Sequence, residues 1–237
     1  AGAGTAQAAG TGTLSFSPNT VSAGSGMSVA INGLTGSGLP SSVDLMLQPG
    51  FAASANSVSV LCTAAQASSS TCPASSQIGT GSVGVSLFSS PTTVPLKIFL
   101  GAPTQSGDIA SVILSGAVFG TTLTVSGRLF VPAGGGLEFL LTGFPAVPVS
   151  LDALSMSVQS SQTISKTTTK TVTRYVYRGK GKHRKKHKVK RKIKTTTRTV
   201  YSLISNPSTC AGMWTGTATF TYSTGPSVTA LSAPCTP

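Results

Sequence analysis

Acidic residues are almost missing from this chain. Of 237 residues only 4 are Asp or Glu, against 17 Lys or Arg. The acids, Asp44, Asp108, Glu138 and Asp152, are scattered singly. General acid–base chemistry needs paired carboxylates or a positioned histidine. The 2 histidines, His183 and His187, both lie in a lysine-rich stretch. No G-x-S-x-G elbow with Asp and His partners, no P-loop and no dinucleotide fingerprint occurs. The chain is therefore not expected to be an enzyme or to bind a cofactor. Windows of Ala, Leu, Glu and Lys at a 3.6-residue period are also missing, which argues against helices. No apolar run reaches the roughly 18 residues that a membrane span needs. Charged residues amount to only 9% of the chain, yet 39% is apolar in patterned runs, which excludes a disordered polyelectrolyte.

The charge that is present is concentrated. Fifteen of the 17 cations lie between Lys166 and Arg198, with both histidines and no acid. The remainder, Lys97 and Arg128 against four acids, carries 2 − 4 = −2. The basic character thus belongs to one element and not to the whole chain.

Four cysteines are present, Cys62, Cys72, Cys210 and Cys235. None forms a C-x-x-C pair and no histidine is near, so a metal site is not expected. The spacing suits two local bridges, Cys62–Cys72 and Cys210–Cys235, among the three connectivities that four cysteines allow. Each bridge would stabilise by about 3 kcal/mol in the chain-entropy picture. Disulfides imply an oxidising, extracellular setting. The opening AGAGTAQAAG, without Met, fits a mature end left by signal peptidase.

Short runs alternate apolar and small polar residues between Gly, Pro and Ser breaks. Met27, Val29 and Ile31 form one such set, Val43, Leu45 and Leu47 another, and Val83, Val85 and Leu87 a third. In WTGTATFTY, Trp214, Gly216, Ala218, Phe220 and Tyr222 share one face and Thr215, Thr217, Thr219 and Thr221 the other. Period-2 alternation means half-buried antiparallel strands. PAGGG at 132–136 reads as a hairpin loop. Pairing Val131 with Leu137 puts Glu138 diagonal to Arg128, where a surface ion pair is expected. Ten or more strands without a credible helix predict an all-β, Ig-like or Greek-key antiparallel β-sandwich.

Several of these stretches carry a resemblance. SFSPNTVSAGSGMSVAINGL resembles the first strands of bacterial Ig-like surface domains. CPASSQIGTGSV, VPLKIFLGAP, GRLFVPAGGGLEFLLTGFPAVPVSLDALSMSV and SNPSTCAGMWTGTATFTYSTG resemble an uncharacterised repeat family of secreted actinobacterial surface proteins. The likeness covers roughly residues 60–165 and 200–237. It is most distinctive at Cys72-Pro73 with Gln77-Ile78-Gly79-Thr80, and at Asn206 to Cys210. It implies a secreted, β-rich surface protein and supplies no catalytic residues. Where those repeats have a short turn before the NPxxC strand, this chain carries the basic segment. The expected organisation is a flexible leader or donor strand at 1–12, N-terminal Ig-like strands at 13–60, a main sandwich at 61–165 and 200–237, and an inserted basic hairpin arm at 166–199.

The flanks of the insertion, KTTTKTV and KTTTRTV, are rich in Thr, Val and Tyr, which favours strands. A turn near Lys182 would set Lys170 opposite Lys194 and Arg174 opposite Lys190. One face of the projecting hairpin would then hold the cations and the other Tyr175, Tyr177 and Tyr201. The expected contact set for an anionic polymer or a neighbouring subunit is Lys166, Lys170, Arg174, Arg178, Lys180, Lys182, Arg184, Lys185, Lys186, Lys188, Lys190, Lys192, Lys194 and Arg198. Like charges facing each other destabilise a hairpin, and a lone two-stranded hairpin is marginal in water, so something must compensate. The function expected first is a self-assembling structural subunit of a cell-surface filament or layer. The alternative is a monomeric adhesin or a module that binds wall polymer, extracellular DNA or acidic polysaccharide. Sequence-specific nucleic-acid reading is not expected, because the tyrosines fall opposite the cations in this register.

Overall fold

Alternation becomes strand almost everywhere it occurs. A computed structural model describes residues 7–8, 10–34, 38–87, 90–118, 120–145, 147–159, 162–178 and 185–237. The strands are β1 (Gln7–Ala8), β2 (Thr11–Ser17), β3 (Gly24–Asn32), β4 (Ser42–Leu47), β5 (Ala52–Ala53), β6 (Gln77–Leu87), β7 (Ser90–Gly101), β8 (Asp108–Val118), β9 (Thr121–Phe130), β10 (Leu137–Thr142), β11 (Ser150–Val158), β12 (Gln162–Arg178), β13 (Lys185–Tyr201), β14 (Ile204–Ser205), β15 (Met213–Tyr222) and β16 (Gly225–Pro234). The fold is all-β and sandwich-like. It divides into two units, one of Ala1–Gln162 with Tyr201–Pro237 and one of Thr163–Val200.

In the first unit fourteen strands form one sheet in the order β1-β16-β15-β4-β10-β9-β8-β7-β6-β11-β3-β14-β5, with β2 on β3. Neighbours are antiparallel except β1 and β16, which run parallel. The sheet rolls until its two ends meet. β1 bonds to β16, and β2, three residues on, bonds to β3. Gly12 of β2 then lies so close to β16 that a Cβ there would be 2.4 Å from Leu231 Cδ2 and 2.7 Å from Thr229 Cγ2. Part of segment 1–12, expected as a leader or donor strand, is thus sheet in its own chain. The strands of 13–60 and those of the main sandwich share one apolar core.

The sets read from the alternation fill that core. Met27, Val29, Ile31, Val43, Leu45 and Leu47 are all buried, and so are Trp214, Ala218, Phe220 and Tyr222. Phe16 stacks on Phe51 at 4.7 Å, and both meet Trp214 edge-on at 5.5 and 5.4 Å. At the β9–β10 loop Gly136 has φ +91°, and a Cβ there would fall 2.3 Å from Leu47 O. Only glycine tolerates both conditions. One expectation fails: a short helix, α1 (Ala64–Ser68), follows Cys62. Thr63 Oγ1 accepts from Gln66 N and Gln66 Oε1 accepts from Thr63 N, a reciprocal cap at the start of α1.

The NPSTC stretch ties the chain ends together. Buried Asn206 donates from Nδ2 to Pro18 O at 3.0 Å and Thr20 O at 2.9 Å. Trp214 Nε1 donates to Thr209 O at 3.1 Å. Both expected bridges are present, Cys62–Cys72 closing 10 residues and Cys210–Cys235 closing 25. Truncating Asn206 removes both of these bonds from a buried position, leaving Pro18 O only the one it accepts from Ser25 Oγ. Asn206→Ala should therefore lower the unfolding free energy by about 2–3 kcal/mol, measured by urea denaturation.

The core is incomplete at one end. A cavity of about 390 Å³ opens there, walled by side chains of β4, β6 to β11 and the 143–149 loop. Its apolar wall faces this opening, so a ligand that filled it would remove further apolar surface from water.

Candidate functional site

The second unit is a two-stranded ribbon of β12 and β13, each 17 residues long. At about 3.4 Å per residue it is roughly 55 Å long. Its Thr, Val and Tyr residues suit extended backbone.

The register is one residue away from the expected one. Thr167 Oγ1 lies 3.0 Å from Thr196 Oγ1, and Thr168 Oγ1 donates to Thr195 O at 3.3 Å. Two side chains in such contact share a face, so an odd position of β12 goes with an even position of β13. The same ladder sets Arg178 opposite Lys185, which are the last residue of β12 and the first of β13. Lys170 is then opposite Ile193 and Arg174 opposite Val189, in place of the expected Lys194 and Lys190. The physical reason is repulsion. The expected register stacks Lys170 on Lys194 and Arg174 on Lys190, whereas the observed one places a neutral residue across from these cations and leaves Arg178 opposite Lys185 at the end of the ribbon.

A one-residue slip exchanges every face, so the expected division into a cationic face and a Thr/Tyr face does not hold. One face carries Lys188, Lys190, Lys192 and Lys194 in a row, opposite Tyr175, Thr173, Thr171 and Thr169. Alternate residues of a strand are about 6.8 Å apart. The other face carries Lys170, Arg174, Arg178 and Arg191 around Val172, Val176, Val189 and Ile193. All eight cations are exposed. Three of the aliphatic residues are only partly covered, with Val172, Val189 and Ile193 at 37%, 42% and 43% exposure. Among the described residues no ion pair engages a ribbon cation, and the ion pair found is Arg128–Asp108 in the first unit.

Arg198 is also exposed on β13. Tyr201 is half-buried and belongs to the first unit, so it is not part of the ribbon's aromatic set. Lys180, Lys182 and Arg184 lie outside the described residues, as do the side chains of Lys166, Tyr177, Lys185 and Lys186. Arg191 was not in the expected contact set. Its place on the cationic and aliphatic face follows from the register alone.

The acids of the first unit are engaged elsewhere. Arg128 was expected to pair with Glu138 across the β9–β10 hairpin. It binds Asp108 instead, with Nη2 at 2.6 Å and Nε at 2.8 Å from Oδ1. Asp108 Oδ2 also accepts from Thr104 N, Thr104 Oγ1 and Gln105 N. The Arg128 hydrogen bond leads these effects in holding the Asp108 carboxyl below its usual range. Glu138 does lie diagonal to Arg128, since it is opposite Phe130, but it is buried at 8% exposure. Burial first, and then the Asp44 carboxylate, push its carboxyl up against the pull of Arg128. A carboxyl raised in the fold stabilises below its unfolded pKa and loses that contribution as pH rises through the folded value. Glu138→Gln should therefore melt higher than the parent at neutral pH. The two should converge below pH ~4, in calorimetry across pH 3 to 8.

No helix among the described residues is long and apolar enough to cross a membrane. No family model, curated protein or solved structure matches this chain.

Proposed function

We propose that this chain is a non-enzymatic extracellular module whose basic ribbon binds an anionic polymer. One observation carries the reading: nine exposed cations on two faces of a ribbon with no acid among its residues. Polyanion chemistry fits that array. Each bound phosphate or sulfate releases condensed counterions, and the strand sets a row of donors at a regular pitch. Thr169, Thr171 and Thr173 add hydroxyls beside the lysine row, able to donate to the same oxyanions. The candidates are wall polymer, extracellular DNA and acidic polysaccharide. The lysine row faces threonines and a single tyrosine, which favours backbone charge over base stacking. The two disulfides support an oxidising compartment.

Heparin affinity measured across salt tests this. Replacing Lys188, Lys190, Lys192 and Lys194 together by Gln should reduce the slope of log K against log salt by about 3–4, at roughly 0.7–0.9 per contact. Elution of the variant at the parent's salt concentration would oppose the proposal.

Self-assembly into a surface filament or layer is the second reading. It draws on the exposed aliphatic strip of Val172, Val189 and Ile193, which a neighbouring copy could cover. The donor-strand route is weakened, because β1 and β2 already pair with β16 and β3 of their own chain. If the strip mediates assembly, Val172→Thr with Ile193→Thr should shift sedimentation from high-mass species to monomer and leave the melting temperature of the first unit unchanged.

A further inference from the structure

The hollow end of the first unit is built for hydrocarbon. Val83, Leu96 and Val125 line it and stay only half-buried there, while Val85 and Val94 of the same strands are buried. The wall offers almost no hydrogen-bonding group, so a polar atom held inside would go unpaired. A cavity of about 150 Å³ holds the six carbons of benzene. In proportion, about 390 Å³ takes on the order of 15 carbons.

A polar place adjoins the hollow. Leu39, Phe144, Pro145 and Val147 line the cavity and also a neighbouring opening that Ser41, Tyr222 and Ser223 help to line. Tyr222 is 5% exposed, and its hydroxyl is buried without a hydrogen-bond partner. A buried donor left unpaired is costly and calls for an acceptor. No Lys, Arg or His among the described residues lines this opening, so an anionic head group would lose its hydration there without a cation to pair with.

We propose that the cavity binds the alkyl chain of a neutral single-chain amphiphile, whose head group accepts a hydrogen bond from the Tyr222 hydroxyl. The ligand class is a fatty alcohol or a neutral acyl ester with a chain of about twelve carbons. The proposal rests on the interior of the first unit and is independent of the ribbon's role.

The test uses the whole chain, methyl-labelled at Val and Leu, titrated with 1-dodecanol below its solubility limit. Expected are saturable one-to-one shifts at Val83, Leu96 and Val125, with intermolecular NOEs to the alkyl chain and a raised melting temperature. Dodecanoate should bind more weakly than dodecanol. Val125→Trp, which fills the hollow, should weaken dodecanol at least about tenfold. Leu96→Phe provides the same test should the tryptophan variant not fold. Tyr222→Phe should weaken dodecanol about fivefold, the loss of one hydrogen bond, with the alkyl NOEs retained at saturation. Absence of saturable shifts in the parent, or parental affinity in a folded cavity-filled variant, would overturn the proposal. Unchanged affinity in Tyr222→Phe would overturn the head-group assignment.

Discussion

Repulsion between like charges across a strand ladder governs the basic part of this chain. Fifteen cations in 33 residues have no acid among them to neutralise any. A long hairpin can carry such a load only if its cations do not face one another. The ladder fixed by Thr167 and Thr196 meets that condition along most of its length, with Arg178 and Lys185 facing each other at its end. It sets Lys194, Lys192, Lys190 and Lys188 against Thr169, Thr171, Thr173 and Tyr175, and Lys170 and Arg174 against Ile193 and Val189. The consequence is a ribbon cationic on both faces, one also hydroxylated and the other also aliphatic. What it can bind follows from that division.

The same separation of charge leaves the first unit almost free of ionic interactions. Its sheet holds together through methyl-bearing strands, an aromatic trio at Phe16, Phe51 and Trp214, and two short bridges. Its ion pair, Arg128–Asp108, lies partly buried between neighbouring strands. Glu138 is costly where it lies, since burial raises its carboxyl and Arg128 is engaged by Asp108. The incomplete core at one end and the unpaired Tyr222 hydroxyl near it are departures of another kind. Neither contributes to stability as it stands, and both suit an amphiphilic ligand.

Much of the fold is legible in the residues. Alternation predicts the inward sets of β3, β4 and β15, and cysteine spacing favours the bridges that form. The PAGGG loop predicts the β9–β10 register, with Glu138 diagonal to Arg128. Legibility ends where a relation between distant elements decides. A period of 2 fits either parity of the ribbon equally well, so the sequence leaves open whether Lys170 meets Lys194 or Ile193. Charge repulsion could have decided it. The parallel pairing of β1 with β16 joins opposite ends of the chain and leaves no local signal. Arg128 reaches Asp108 because β8 lies beside β9, again a tertiary fact. The helix α1 did leave a signal, Thr63 with Gln66 three residues on, but over too few residues for a periodicity to register. The cavity has none, because its lining residues differ from core residues only in what they fail to touch.

The ribbon's register is the fact on which its chemistry turns, and NMR measures it most directly. In the isotopically labelled chain, cross-strand NOEs should link Thr167 with Thr196, Thr169 with Lys194, Lys170 with Ile193 and Arg174 with Val189. NOEs that instead link Lys170 with Lys194 and Arg174 with Lys190 would contradict it, and would restore a single cationic face opposite a Thr/Tyr one.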